Sequence, residues 1–237
     1  MASEKKTSPW VYVGLGCAGT VVLIIVVGVG AIFMLQRWTK SVERTMNDPV
    51  ARTERAMELL GCQELPESYN AMLGLDIPFV AEIAILTDRE PDSHGKIEEF
   101  GERAFIYLKM SRLLGKKAKQ DFMDFIEGKK KNPDIFVQSN IRIDGHELLK
   151  RGEMDLDGPT VTYAVHRGDV QVEGHETGGL ATIMLIECPE DSQPRFGVWL
   201  GRDPSEDEPL EGVDLTGTTA DESAMREFLG HFSFCGA

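Results

Sequence analysis

The hydrophobic positions of the chain fall into two regimes. From Thr7 to Gln36 no residue is charged, and Val11–Leu35 is a near-continuous apolar run rich in Val, Ile and Gly. Such a run needs a helix in lipid, where the backbone has no other way to pair its polar groups. At about 1.5 Å per residue Val11–Leu35 spans about 37 Å, enough to cross a hydrocarbon core of about 30 Å with some tilt. Trp10 and Tyr12 at one end and Trp38 at the other sit where interfacial aromatic anchors belong. The apolar stretch is longer than the core of a cleaved signal peptide and continues past Gly28-Val29-Gly30. In Leu15-Gly16-Cys17 the leucine stands one position too close to the cysteine for a lipobox. The pattern therefore predicts a short tail over 1–8, a transmembrane helix over 9–36, a charged stalk over 37–48 and a globular domain over 49–237.

Beyond residue 48 the apolar positions become periodic. Asn47 or Asp48 offers an N-cap, Pro49 suits a first turn, and Gly61 ends a helix whose apolar positions are Ala56, Met57, Leu59 and Leu60. Phe79–Leu86 and Ala104–Met110 read as strands, with a turn-rich loop from Asp88 to Gly95. Ala118, Phe122, Met123, Phe125 and Ile126 fall at helical spacing and predict a helix over Lys116–Glu127. Alternation then dominates. Ile141 and Ile143 suggest one strand, and Val161, Tyr163 and Val165 another, with Arg167-Gly168-Asp169 turning the chain towards Val170 and Val172. Leu180–Ile186 and Phe196–Leu200 supply two more strands, and 203–218 form an acidic loop. Thr219-x-x-Glu222 has the form of a capping box ahead of Met225, Phe228, Leu229 and Phe232, an amphipathic closing helix. The expected fold class is α+β: one N-terminal transmembrane helix followed by a single domain of antiparallel sheet packed with about three helices.

Charge narrows the partners. The net charge is −14; Glu4, Lys5 and Lys6 leave residues 1–36 at +1, so residues 37–237 carry −15. An acidic domain repels phosphate backbones, which argues against nucleic acid. Lysines and arginines lie on both sides of the apolar run, and more of them follow it. A positive-inside count places the domain in the cytoplasm, whereas a short basic tail before a long apolar stretch is the form of a signal anchor with the domain outside. The second reading is preferred here. Cys62, Cys188 and Cys235 allow at most one disulfide within the domain, and reduced, partly buried thiols are the simpler expectation.

The layout resembles the PsbP-like α/β/α sandwich, an analogy of topology that implies no function. Locally, Glu64-Leu65-Pro66-Glu67-Ser68-Tyr69, then Gly74 and a strand, then Ala104-Phe105-Ile106-Tyr107-Leu108, resembles a pattern in uncharacterised bacterial membrane-anchored proteins. That resemblance spans about the first half of the domain and implies a bacterial, single-pass, membrane-anchored protein.

No constellation in the sequence spells a reaction. His94, His146, His166, His175 and His231 show no metal-ligand spacing, and the chain has no nucleophile elbow, phosphate loop or dinucleotide fingerprint. Glu173–Gly179 reads as a glycine-rich link between strands. Glu153-x-Asp155-x-Asp157-Gly158 opens like a calcium loop, but the twelfth position falls on Ala164. No catalytic, cofactor or metal residue is assigned. Arg112, Lys116, Lys117, Lys119, Lys129, Lys130 and Lys131 bracket the second helix and are the candidates for lipid head-group contact. The acidic loop could serve a basic partner. The expected function is a membrane-tethered, non-enzymatic interaction or accessory domain, with a ligand- or lipid-sensing domain as the alternative. The expected partners are the lipid bilayer and another membrane or envelope protein.

Overall fold

The computed structural model describes residues 47–91, 102–131, 133–134, 141–172, 175–204 and 214–236, together with Thr39, Val42 and Thr45. The chain divides between Arg44 and Thr45 into two units. Residues 45–237 hold the whole sheet and both hydrophobic clusters.

The elements are α1 (Pro49–Leu60), β1 (Asn70–Ile77), β2 (Ala81–Thr87), β3 (Ala104–Met110), α2 (Arg112–Ile126), β4 (Ile141–Asp155), β5 (Thr160–Val172), β6 (His175–Cys188), β7 (Asp191–Gly201) and α3 (Glu222–Leu229). The strands form one seven-stranded sheet in the order β1-β2-β3-β7-β6-β5-β4. Every neighbouring pair is antiparallel. Two meanders, β1–β3 and β4–β7, are thus joined where β3 pairs with β7, as in Ile106 opposite Val198.

Helices cover both faces of this sheet. On one face Ala56 and Leu60 of α1, Met225, Phe228 and Leu229 of α3, and the tail residues Phe232 and Phe234 pack with Phe105, Tyr107, Tyr163, Met184 and Trp199. On the other, Phe122, Phe125 and Ile126 of α2 pack with Ile106, Ile183, Leu185, Phe196 and Val198. Successive residues of β3, β6 and β7 therefore both reach an apolar layer. Two-sided burial is why β3 and β6 read as unbroken apolar runs; β7, read as alternating through Phe196, Val198 and Leu200, buries Trp199 as well.

The expected architecture needs correction. The structure is mostly sheet, and among the described residues no helix is long and apolar enough to cross a membrane. α1, α2 and α3 are each amphipathic and pack one face on the sheet, with Arg52 of α1 buried there as well. The run over 9–36, its anchors Trp10, Tyr12 and Trp38, and most of the stalk lie outside the described residues.

Within the domain the differences have local causes. Phe79 does not open a strand; Pro78, Phe79 and Val80 make the turn between β1 and β2, with the Val80 amide donating to the Ile77 carbonyl at 3.0 Å. Arg167-Gly168-Asp169 does not turn the chain. β5 continues to Val172 because Gly168 pairs with Gly179 of β6, at φ of +143° and +149°. A side chain on Gly179 would strike the carbonyl of Gly201. His175–Gly179 accordingly belong to β6 rather than to a link. The closing helix is capped by Asp221, whose carboxylate accepts from the Ser223 amide at 3.0 Å, and not by Thr219. Thr219 is buried, accepting from Thr182 through its carbonyl and donating to the Leu180 carbonyl at 3.4 Å.

The thiols also differ from expectation. Cys188 and Cys235 form a disulfide with Cα atoms 5.4 Å apart, tying the C-terminal tail to the end of β6. Cys62 alone keeps a thiol among the described cysteines. No hydropathy pattern pairs residues 47 apart in sequence.

Candidate interaction surface

The first turn of α2 sits on the β1–β2 turn. The Ser111 amide donates to the Val80 carbonyl at 2.9 Å, and β2 and β3 run together to the same end of the sheet through Ala81 opposite Met110. Packing fixes which way α2 faces. Gly115 lies against Pro194 at the start of β7 so closely that a Cβ would collide with the proline ring. Gly115, Phe122, Phe125 and Ile126 are the buried face of the helix. Leu113 and Leu114 lie off that stripe.

The outcome is four large apolar side chains turned to the outside at one end of the sheet. Phe79 is 80% exposed, Val80 41%, Leu113 91% and Leu114 46%. Single exposed hydrophobics are ordinary, but a group of them on two joined turns marks a contact surface. Phe79 is also held at φ +65°, in the left-handed region. A proline followed by a positive φ is the pattern of a type II turn, whose third position favours Gly or Asn. A bulky residue there carries local strain of about 1 kcal/mol or more.

The cationic positions singled out in the sequence do not form one surface. Arg112 approaches Asp191 at 3.8 Å, Lys119 pairs with Glu187, and Lys129 with Glu127. Lys130 binds Asp121 and, at 2.6 Å, Asp134. Its hydrogen bonds to these two carboxylates raise the pKa of Lys130, and the same contact lowers that of Asp134. Glu127 likewise raises the pKa of Lys129. Beyond Ile126 the chain turns at Gly128, and the Lys130 ammonium reaches back along α2 to Asp121, away from the first turn of the helix. Lys116 and Lys117 are exposed, form no ion pair with a described residue, and follow Leu113 and Leu114 within one turn. Lys131 also forms none, at the far end.

The remaining candidates have structural partners. His166 is buried and stacks on Phe125 at 5.1 Å, while Nδ1 of the exposed His231 lies 2.9 Å from the Glu227 carbonyl. His94 and the side chains of His146 and His175 lie outside the described residues. Asp155 and Asp157 belong to the β4–β5 hairpin, where Asp155 accepts from the Thr160 hydroxyl at 2.9 Å. Among the described residues no three His, Cys, Asp or Glu side chains converge on a metal-sized site. Most of the acidic loop, residues 205–213, lies outside the described residues.

The buried polar groups serve the fold. Arg52 Nε donates to the Ala71 carbonyl at 2.9 Å, Trp199 Nε1 to the Tyr69 hydroxyl at 2.8 Å, and Arg195 binds Asp191 and, at 2.9 Å, the Gln193 carbonyl. Arg167 and the buried Asp203 form a part-buried ion pair. No family model, curated protein or solved structure matches this chain.

Periodicity overlooked Phe79, Val80, Leu113 and Leu114 because apolar residues are counted as core by default. Two signals were available. Pro78 before Phe79 favours a turn, and Leu113 cannot share a helix face with Gly115, Phe122 and Phe125.

Proposed function

We propose that this chain is a membrane-attached, non-enzymatic interaction domain held outside the cytoplasm, with its contact surface at the Phe79–Leu113 end of the sheet. The observation that carries the reading is the exposed apolar quartet on the joined β1–β2 and α2 turns. Apolar area on this scale is costly to leave in water and is stabilised when a partner covers it. The uncharged run Val11–Leu35 supports attachment to a bilayer. The Cys188–Cys235 disulfide favours an oxidising compartment over the cytoplasm. The local resemblance around Glu64–Tyr69 to bacterial membrane-anchored proteins points the same way.

The test is a photo-crosslinking residue at position 113 of the full chain in cells, with the exposed Glu153 as the control position. The reading expects an adduct at 113, to protein or to lipid, well above that at 153. Equal yields at the two positions would remove it.

A further inference from the structure

We infer that the Phe79–Leu113 surface takes a lipid bilayer as its partner: Phe79 and Leu113 enter the head-group region while Lys116 and Lys117 reach lipid phosphates. This rests on the interaction surface proposed above and names its occupant.

Three observations select a membrane over another protein. The apolar side chains are raised on two tight turns rather than spread over a flat face. Phe79 is lifted by a turn whose left-handed position would suit glycine, so the strain keeps a large ring in water. A ring and a leucine side by side on one pair of joined turns suit a soft, laterally uniform medium, which needs no complementary shape. The flanking charge is also of the right sign. Lys116 and Lys117 are exposed, stand one turn beyond Leu113 and Leu114, and have no ion-pair partner among the described residues. Long lysine stems lie along apolar surface while their ammonium groups reach outward, the usual arrangement at a bilayer interface. Finally, the same chain carries the apolar run Val11–Leu35, so a bilayer is the surface held at high local concentration.

The acidity of the domain limits this attraction to short range. Residues 37–237 carry −15, which repels an anionic leaflet at a distance. At physiological ionic strength charges beyond about 8 Å are largely screened, so the groups at the point of contact decide the outcome. Here those groups are Lys116 and Lys117, neither in an ion pair with a described residue although Asp134 stands near enough to Lys117 to interact with it, while Arg112 is already shared with Asp191. Binding should depend on both the inserted apolar groups and the lysines, and should weaken with added salt without vanishing.

Residues 45–237 contain the sheet, both hydrophobic clusters and the disulfide, and so form a foldable unit for the test. The experiment is flotation of this fragment with vesicles of phosphatidylcholine alone and of phosphatidylcholine with phosphatidylglycerol. The expected result is flotation with the anionic vesicles and less with the neutral ones. F79S/L113S should lower partitioning by more than about tenfold on both. K116E/K117E should lose only the anionic preference. Phe79→Gly separates recognition from folding: it relieves the left-handed backbone, so it should melt no lower than the wild type yet float less. Absence of wild-type flotation with either vesicle, or flotation unchanged by F79S/L113S, overturns the inference. If position 113 still crosslinks to protein in cells, the interaction reading survives that failure.

Discussion

The amide of Ser111 donates to the carbonyl of Val80 at 2.9 Å, which makes the turn carrying Phe79 and the helix turn carrying Leu113 one structural unit. Ser111 occupies the N-cap position of α2 with extended backbone, yet its hydroxyl caps no amide. Its main chain is used for docking, and the capping role is left empty. At α1 the arrangement is the usual one, with the Asp48 carboxylate accepting from Val50 and Ala51 at 3.0 and 3.4 Å.

The two caps should therefore respond differently to truncation. Asp48→Ala should destabilise the domain by about 1 kcal/mol. Ser111→Ala should cost less than about 0.5 kcal/mol, because no cap bond is lost. Urea unfolding of the two variants against the wild type measures both.

Reduction should be far more damaging than either. The Cys188–Cys235 bond closes a loop of 47 residues. By the loop-closure estimate, removing it with C188A/C235A costs about 4 kcal/mol, through the gain in freedom of the unfolded chain. The tail that it secures brings Phe232 and Phe234 against Phe105 and Tyr107, so thermal unfolding should also begin at that end. Melting curves with and without reductant, compared with the double variant, give the measurement.

Trp199 donates to the Tyr69 hydroxyl at 2.8 Å and stacks on Phe228 at 4.4 Å between centroids. Tyr69→Phe keeps the ring and its tilted contact with Phe228 but leaves a buried indole N–H without its acceptor. The expected cost is about 1–3 kcal/mol, seen as a lower denaturation midpoint with an unchanged slope.

Acid should unfold the domain partly through Asp221. Hydrogen bonds from the Gly217 and Ser223 amides hold this carboxyl below its ordinary value of 3.8. A depressed folded pKa means that the contribution is fully present above that ordinary value and is lost as pH falls through the lower folded one. Asp221→Asn, which can still accept one amide, should flatten the stability–pH curve below about pH 4 and leave its neutral plateau little changed. Thermal midpoints from pH 2 to pH 7 would record this.

Cys62 should be sluggish. Burial raises the pKa of its thiol, against a smaller opposing backbone hydrogen bond. Less thiolate at neutral pH means slower alkylation. The rate with iodoacetamide should rise sharply on adding denaturant, and equal rates in folded and unfolded protein would contradict the burial described here.

Much of the domain could be read from periodicity. β3 has the bounds that the apolar run Ala104–Met110 implies, and α1 ends at Leu60 because Gly61 adopts φ +67° as its left-handed cap. What escaped depends on contacts between distant residues. β1 was not anticipated, since Asn70–Ile77 interrupts its alternation with Gly74, a residue that lets the α1 backbone come close. α2 starts at Arg112 rather than Lys116 because Ser111 is docked on Val80 and Gly115 on Pro194. The lysines were visible, but only the fold separates Lys116 and Lys117 from those that already hold carboxylates. The quartet at the sheet's end stayed hidden because hydropathy does not distinguish a buried leucine from an exposed one.

Hydrogen–deuterium exchange of the full chain, in anionic lipid nanodiscs and in detergent micelles, separates a bilayer-facing end of the sheet from the rest of the domain. A bilayer contact at the joined turns predicts slower exchange in lipid at residues 79–81 and 112–117, with β4–β6 unchanged. Unaltered exchange at those two segments, or protection centred elsewhere on the domain, would contradict it.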